Sequence, residues 1–216
     1  MLELFNTYSG QFLSGFGHTL LASLIVLIAS FIIGIGMAIA QTSDNKLLSG
    51  IATVYIEVFR NIPLLIIVMF FYVVVPLSGV DISGFMSGVI GLSIYTSSFV
   101  ADVVKSGITT IPNGQREAGL ASGLSKNQVM FLIILPQALK LVLPPLGNQM
   151  INLVKNSSIF AMVAGLDLMY QGDLIVSETY NVFGTYIIVG IFYLIITVPI
   201  SLMVKRLEER QSQTSR

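Results

Sequence analysis

The sequence predicts an all-α membrane protein of five transmembrane helices, with the N-terminus outside and the C-terminus inside. Three observations lead there. Hydrophobic residues make up 54% of the 216 positions and charged residues only 10%. The mean hydropathy is +0.86. The few charges fall at intervals that leave long apolar runs between them. A soluble domain carries about 25% charge, so a soluble enzyme, a disordered chain and a basic nucleic-acid binder are all excluded. With no cysteine there is no disulfide framework, thiolate metal site or cysteine nucleophile, and nothing else in the sequence gathers metal ligands.

No Asp, Glu, Lys or Arg occurs between Glu3 and Asp44, nor in 61–80, 82–101 or 179–204. Segment 141–166 is interrupted only by Lys155. A hydrocarbon core takes about 20 apolar helical residues to cross. The spans are therefore expected near 18–40, 57–77, 84–104, 145–165 and 184–204. Ala38-Ile39-Ala40 has the small-x-small form of a cleavage site, but the chain before it lacks a basic n-region and its apolar run is too long, so no cleavage is expected. No linker or internal repeat is visible, and residues 1–216 are expected to form one membrane domain.

Orientation follows from the basic residues, which accumulate on the cytoplasmic side. Lys46 and Arg60 flank the inner ends of the first two spans. Lys105, Arg116, Lys126 and Lys140 fall in the loop between spans three and four, and Lys205, Arg206, Arg210 and Arg216 in the C-terminal tail. The opposite segments hold Glu3, Asp81, Asp167, Asp173 and Glu178, with no Lys or Arg.

The inner loop, 105–140, has defined local chemistry. Pro112-Asn113-Gly114 is a turn, with Asn113 able to cap the next helix. Gln115 to Ala121 has a helical pattern that stops near Gly123. Ser125 to Gln128 is a capping box ahead of the apolar run Val129–Leu135, and Pro136 bends or restarts the helix. Two short helices meeting at a glycine should lie on the cytoplasmic surface.

In the fourth span, counted from Pro144-Pro145, Lys155 lies about 15 Å along the helix, near mid-membrane. A central lysine costs about 2.5–3.5 kcal/mol to insert, so it should not face lipid. Asn148, Asn152, Lys155 and Ser158 fall on one helical face, with Asn156 and Ser157 beside it. On span three, Ser93 and Ser97 are spaced i, i+4, with Tyr95, Thr96 and Ser98 adjacent. Two readings stand: a polar substrate pathway, or a lysine that snorkels or pairs with an acid such as Asp102. Gly84 and Gly88 are spaced for close helix packing, and Gly34 and Gly36 are read the same way. Arg60 with Glu57 reads as a structural pair, Pro63 as a kink, His18 as a membrane-edge residue, and Phe70, Phe71 and Tyr72 as packing or lipid-facing residues.

The loop resembles the Glu-Ala-Ala loop of permease subunits of bacterial ATP-binding-cassette importers. The matching residues are Glu117-Ala118-Gly119, then Gly123, then Ile133-Ile134-Leu135-Pro136. Gly119 replaces the usual Ala, and Ser122 stands where Leu is usual. Tyr55 to Leu65 and Leu153 to Ser158 are similar to the polar amino acid branch, although Asn61-Ile62-Pro63 replaces its Gly-Thr-Pro. The resemblance implies the type I importer permease fold. It implies that Arg116, Glu117, Ala118, Gly119, Gly123 and Leu124 form a helix and turn that couple to a cytoplasmic ATPase, Glu117 pairing with a basic group there. It also implies two permease subunits, two ATPases that bind ATP and Mg, an external solute-binding protein and an amino acid substrate. This chain itself lacks a phosphate-binding G-x-x-x-x-G-K-[ST] loop and carries no cofactor or catalytic residue in this reading. The family places its substrate site around helix four, which favours Ser93, Tyr95, Ser97, Ser98, Asn148, Asn152, Lys155, Asn156, Ser157 and Ser158 as the pathway. With Asn156 uncharged, glutamate, aspartate or glutamine suits it better than a cationic substrate. The alternative is an ion-coupled carrier using Lys155 and Asp102. An intramembrane hydrolase is excluded by the lack of H-E-x-x-H and G-x-S-x-G.

Overall fold

The computed structural model describes residues 1–214, with side chains to Arg210; Arg216 of the basic tail lies outside the described residues. All regular structure among them is helical. Four helical stretches are long and apolar enough to cross a membrane, and a bent pair makes up the fifth.

Helix α1 spans Leu2–Gln41, well beyond the expected 18–40, with a local break at Tyr8. Its first turns are obscured in sequence by Asn6, Thr7, Gly10 and Gln11. They are held by tertiary contact instead: Phe5 and Phe12 stack at 6.1 Å, and Phe12 stacks on Phe192 at 6.3 Å.

The expected second span, 57–77, is corrected. Helix α2 (Lys46–Asn61) ends before Pro63, and α3 (Leu64–Met69) begins after it. The two segments meet at 106°. Pro63 has no N–H and forces Ile62 into an extended conformation (φ −89, ψ 134), the usual effect on a residue before proline. The window 57–77 therefore straddles a corner. Only Leu64–Ser78 runs on past the corner, through a π-helical turn at Phe70–Val74 and a 3₁₀ turn at Val75–Ser78.

Helix α4 (Gly84–Thr110) is the third span and the most enclosed. The short α5 (Asn113–Ala121) comes next, starting at Asn113 itself, so that residue is inside the helix and not its cap. Helix α6 (Lys126–Val129) leads through a π-helical turn, Met130–Ile134, into α7 (Leu135–Asn156) and a 3₁₀ stretch, Ser157–Val163. The expected start of the fourth span at Pro144-Pro145 is thus corrected: both prolines lie inside α7, and the helical run is Lys126–Val163, 38 residues. Both π turns precede a proline by two residues. At Leu135 the N–H reaches back to the Met130 carbonyl, and at Val75 to the Phe70 carbonyl. Widening the turn spares the carbonyl that a proline ring would otherwise meet.

Helix α8 (Leu168–Thr179) has no counterpart among the expected spans, and α9 (Val182–Thr214) is the last span. Asp167 caps α8, accepting from the Met169 and Tyr170 N–H groups at 3.1 Å. Thr19 Oγ1 accepts from the Leu168 N–H at 3.0 Å, tying α8 to α1. Burial pushes the Asp167 carboxyl up to about 6 despite these donors.

Close packing at glycine sets the α4 contacts. A Cβ on Gly84 would collide with the Val163 carbonyl oxygen, and one on Gly88 would meet the Phe160 ring at 2.7 Å. A Cβ on Gly34 would meet Val100 at 2.6 Å, whereas one on Gly36 would meet nothing within 4 Å among the described residues. Gly84→Val should therefore destabilise the protein by at least the 1–3 kcal/mol typical of overpacking, about several degrees in thermal unfolding. Gly36→Val, measured in the same detergent, should leave the transition in place; equal shifts would show that the α4 contact is not a fixed one.

Candidate functional site

Two surfaces carry the polar chemistry. The first is the α5 turn. Gly123 adopts a left-handed conformation, φ +84. The Gly123 N–H donates to the Leu120 carbonyl at 3.0 Å and the Leu124 N–H to the Gly119 carbonyl at 3.2 Å. That pair of bonds is a Schellman stop, in which glycine escapes the left-handed penalty of about 1–2 kcal/mol. The capping box then starts α6: Ser125 Oγ accepts from the Gln128 N–H, and Gln128 Oε1 accepts from the Ser125 N–H at 2.8 Å. The angle between the two helices is thus written locally.

One face of α5 is fastened to the bundle. Gly119 is buried, and a Cβ there would meet Ile133 and Val129 at 2.8 Å. Val129 and Ile134 belong to a core with Val104, Ile108, Ala138 and Val142. Gly119 therefore faces inward, contrary to its expected place beside Glu117 on the docking surface. Helical geometry explains this: two residues along, the side-chain direction turns by about 200°. The exposed face presents Glu117, Ala118, Leu120 and Ala121. Arg116 is half-buried on the flank, and Leu124 is half-buried at the turn. Lys126 Nζ pairs with Asp44 at 2.5 Å, joining the turn to the α1–α2 connection. The Lys126 hydrogen bond and charge hold the Asp44 carboxyl below the usual carboxylate range.

The second surface is on α7. Asn148, Asn152 and Lys155 are all exposed along one face, as their spacing predicts. Asn148 Nδ2 donates to Glu208 Oε1 at 3.4 Å. Lys155 lines an open cleft of about 380 Å³ with Ser158, Met169, Tyr186, Val189, Gly190 and Tyr193. No hydrogen bond or ion pair engages its ammonium among the described residues. Lys155 stands one residue from the end of α7, within the helical run that continues to Val163, and faces Tyr186, Val189 and Tyr193 of α9.

The other expected pathway residues do not share this surface. Ser93, Ser97 and Ser98 are buried, as is Ser157. Ser97 Oγ and the Tyr55 hydroxyl are 2.7 Å apart, Ser98 donates to the Tyr95 carbonyl at 2.7 Å, and Ser157 donates to the Val154 carbonyl at 2.8 Å. Tyr95 is half-buried against Phe99, with rings 4.9 Å apart. Asn156 is half-buried, and Ser158 donates to the Lys155 carbonyl at 2.9 Å. Ser97 and Ser98 are thus engaged within the bundle, whereas the buried Ser93 hydroxyl has no hydrogen-bond partner among the described residues. Asn148, Asn152 and Lys155 are exposed on the α7 side, with Ser158 half-buried beside them.

Asp102 does not pair with Lys155. Its Oδ1 lies 2.9 Å from Arg60 Nη1, and the same guanidinium sits 5.5 Å from the Phe99 ring centre. Arg60 therefore bridges α2 to α4 through Asp102, and the expected Glu57 partner is exposed instead. The acid that Arg60 meets lies on α4, which spacing along α2 alone does not reveal.

The chain is similar in sequence and shape to known membrane proteins. Residues 30–213 match the family described as "Binding-protein-dependent transport system inner membrane component". A probable glutamine ABC transporter permease protein, GlnM, of Bacillus subtilis (strain 168) is 50% identical over 207 residues, covering 96% of this chain and 95% of that one. The glutamine transport system permease protein GlnP of Escherichia coli (strain K12) is 35% identical over 200 residues, covering 92% and 91%. A chain from the crystal structure of an amino acid ABC transporter with histidines superimposes with a TM-score of 0.85 at 34% identity, covering 94% and 95%. A chain of the inward-facing MetNI methionine ABC transporter shares the fold, with a TM-score of 0.78 at 20% identity over 93% and 96%.

Proposed function

This chain belongs to the binding-protein-dependent transport system inner membrane components, and on that premise we propose that it is the permease subunit of an ATP-driven importer of polar amino acids, with glutamine the preferred substrate. The observation that carries the reading is the construction of α5. Its inner face is fixed to Val129 and Ile133, while Glu117, Ala118 and Ala121 stay open on its outer face. A helix so held is a lever: force applied outside reaches α7 through apolar contact, without a flexible joint.

In this mechanism two ATPases bind ATP and Mg and grip α5 of two permease subunits. Their closure moves α5, the Met130–Ile134 turn and α7 together, and opens the cavity to an external solute-binding protein. Hydrolysis resets it inward. The permease contributes a path and a handle, and no catalytic group. The ion-coupled carrier reading required Lys155 and Asp102 to act together, and Asp102 is committed to Arg60.

Substrate choice follows from Lys155. An unpaired ammonium at the edge of a largely apolar cleft favours a carboxylate and repels a second positive charge. The relatives named for glutamine transport support a neutral amide substrate. In proteoliposomes holding the complete transporter, unlabelled glutamine should compete with labelled glutamine, and arginine should not. Stronger competition by arginine than by glutamine would overturn the substrate assignment.

A further inference from the structure

A second polar cleft, of about 360 Å³, lies at the charge-rich end between the last turn of α1, the last turns of α4 and the first turn of α5. It is separate from the Lys155 cleft and from the exposed face of α5. Lys105 from α4 and Arg116 from α5 both line it, with Gln41, Thr109 and Asn113. The Lys105 ammonium has no hydrogen bond or ion pair among the described residues. The nearby carboxylate, Asp44, is engaged by Lys126 at 2.5 Å, with Arg116 adding to the field upon it. No acid lines the cleft itself. Pro112, which precedes α5, offers no side-chain acceptor to the first N–H groups of that helix, so their partial positive charge is added to that of the two side chains.

Two cations and an uncapped helix start, converging on a cleft without an acid, call for a dianionic or monoanionic oxygen cluster. The cleft sits where apolar spans give way to charged loops, the depth at which lipid headgroups lie. We infer that this cleft binds the phosphate of an anionic phospholipid between α4 and α5. The headgroup then fills the gap behind the lever, bracing Arg116 and the start of α5 against the end of α4. A basic side chain near an anionic headgroup is worth about 1 kcal/mol, or about fivefold in affinity.

The test uses the complete transporter, purified in detergent with phosphatidylglycerol and washed, with retained lipid counted by native mass spectrometry. The readout does not involve transport, so its failure would leave the proposed function untouched. The native protein and Lys105→Arg should retain phosphatidylglycerol. Lys105→Gln should hold it about fivefold more weakly, and Lys46→Gln, which removes a charge outside the cleft, should match the native protein. Equal retention by Lys105→Gln, or an equal loss in Lys46→Gln, would overturn the site. Displacement of the lipid by millimolar inorganic phosphate would reassign the cleft to a soluble phosphate and overturn the lipid claim.

Discussion

Glu117→Lys should abolish ATP-driven uptake in the assembled transporter while the protein reaches the membrane in normal amount. The residue is exposed, so its removal disturbs no core contact, and the helix it stands on is fixed by Gly119 and by the Gly123 stop. The loss arises at the partner. Breaking one side of a desolvated interfacial pair costs about 2–5 kcal/mol, and reversing the charge adds repulsion. Uptake should fall at least thirtyfold, with substrate no longer stimulating ATP hydrolysis. Glu117→Gln, which keeps the shape, should fall less. Uptake at the native rate in Glu117→Lys, at equal expression, would remove Glu117 from the coupling interface.

Lys155→Met should reduce uptake about tenfold or more without changing the thermal transition or the amount of ATPase that co-purifies. Methionine has a similar length, and the site is exposed, so the fold loses only a charge that has no internal partner. A single charge–carboxylate contact in a partly desolvated cleft is worth about 1.5–3 kcal/mol. The effect should fall on transport of the bound substrate, with basal ATP hydrolysis retained. A lysine that merely snorkels would leave the uptake rate and its half-saturation unchanged, and that result would assign it to structure.

Much of this architecture was legible in the sequence because charge is costly inside a bilayer. The gaps between charges located α4 and α9 well and the second half of α1, whose first turns the polar residues Asn6, Thr7 and Gln11 obscured. The α5 turn could be read in detail, since Gly123, Ser125 and Gln128 act on their immediate neighbours. What failed was tertiary. Pro63 announced a kink but not a corner of 106°, because the angle depends on how α2 settles against α1 and α4. Pro144-Pro145 looked like a helix start, yet burial of Val142, Pro144, Leu146 and Gly147 carries α7 through them. The serines of α4 shared an attractive spacing with no sign of which way they face. Ser97 turned out to face Tyr55, and Arg60 took the acid that Lys155 seemed to need. Asp167 could have been found as an acid just ahead of a short apolar helix, the ordinary capping signal.

The claim on which the account rests is that α5 is held by a separate ATPase, and the absence of cysteine from this chain makes an introduced thiol a unique label within it for a direct measurement. Ala118→Cys, in the exposed face of α5, can carry a thiol-attached photo-crosslinker in the complete transporter. Ser177→Cys, exposed on α8 toward the opposite end, serves as the comparison. Illumination should join the label at position 118 to the ATPase and leave the label at 177 unjoined to it. A transporter that is active and labelled, yet yields no ATPase adduct from position 118 or an equal one from 177, would contradict the account.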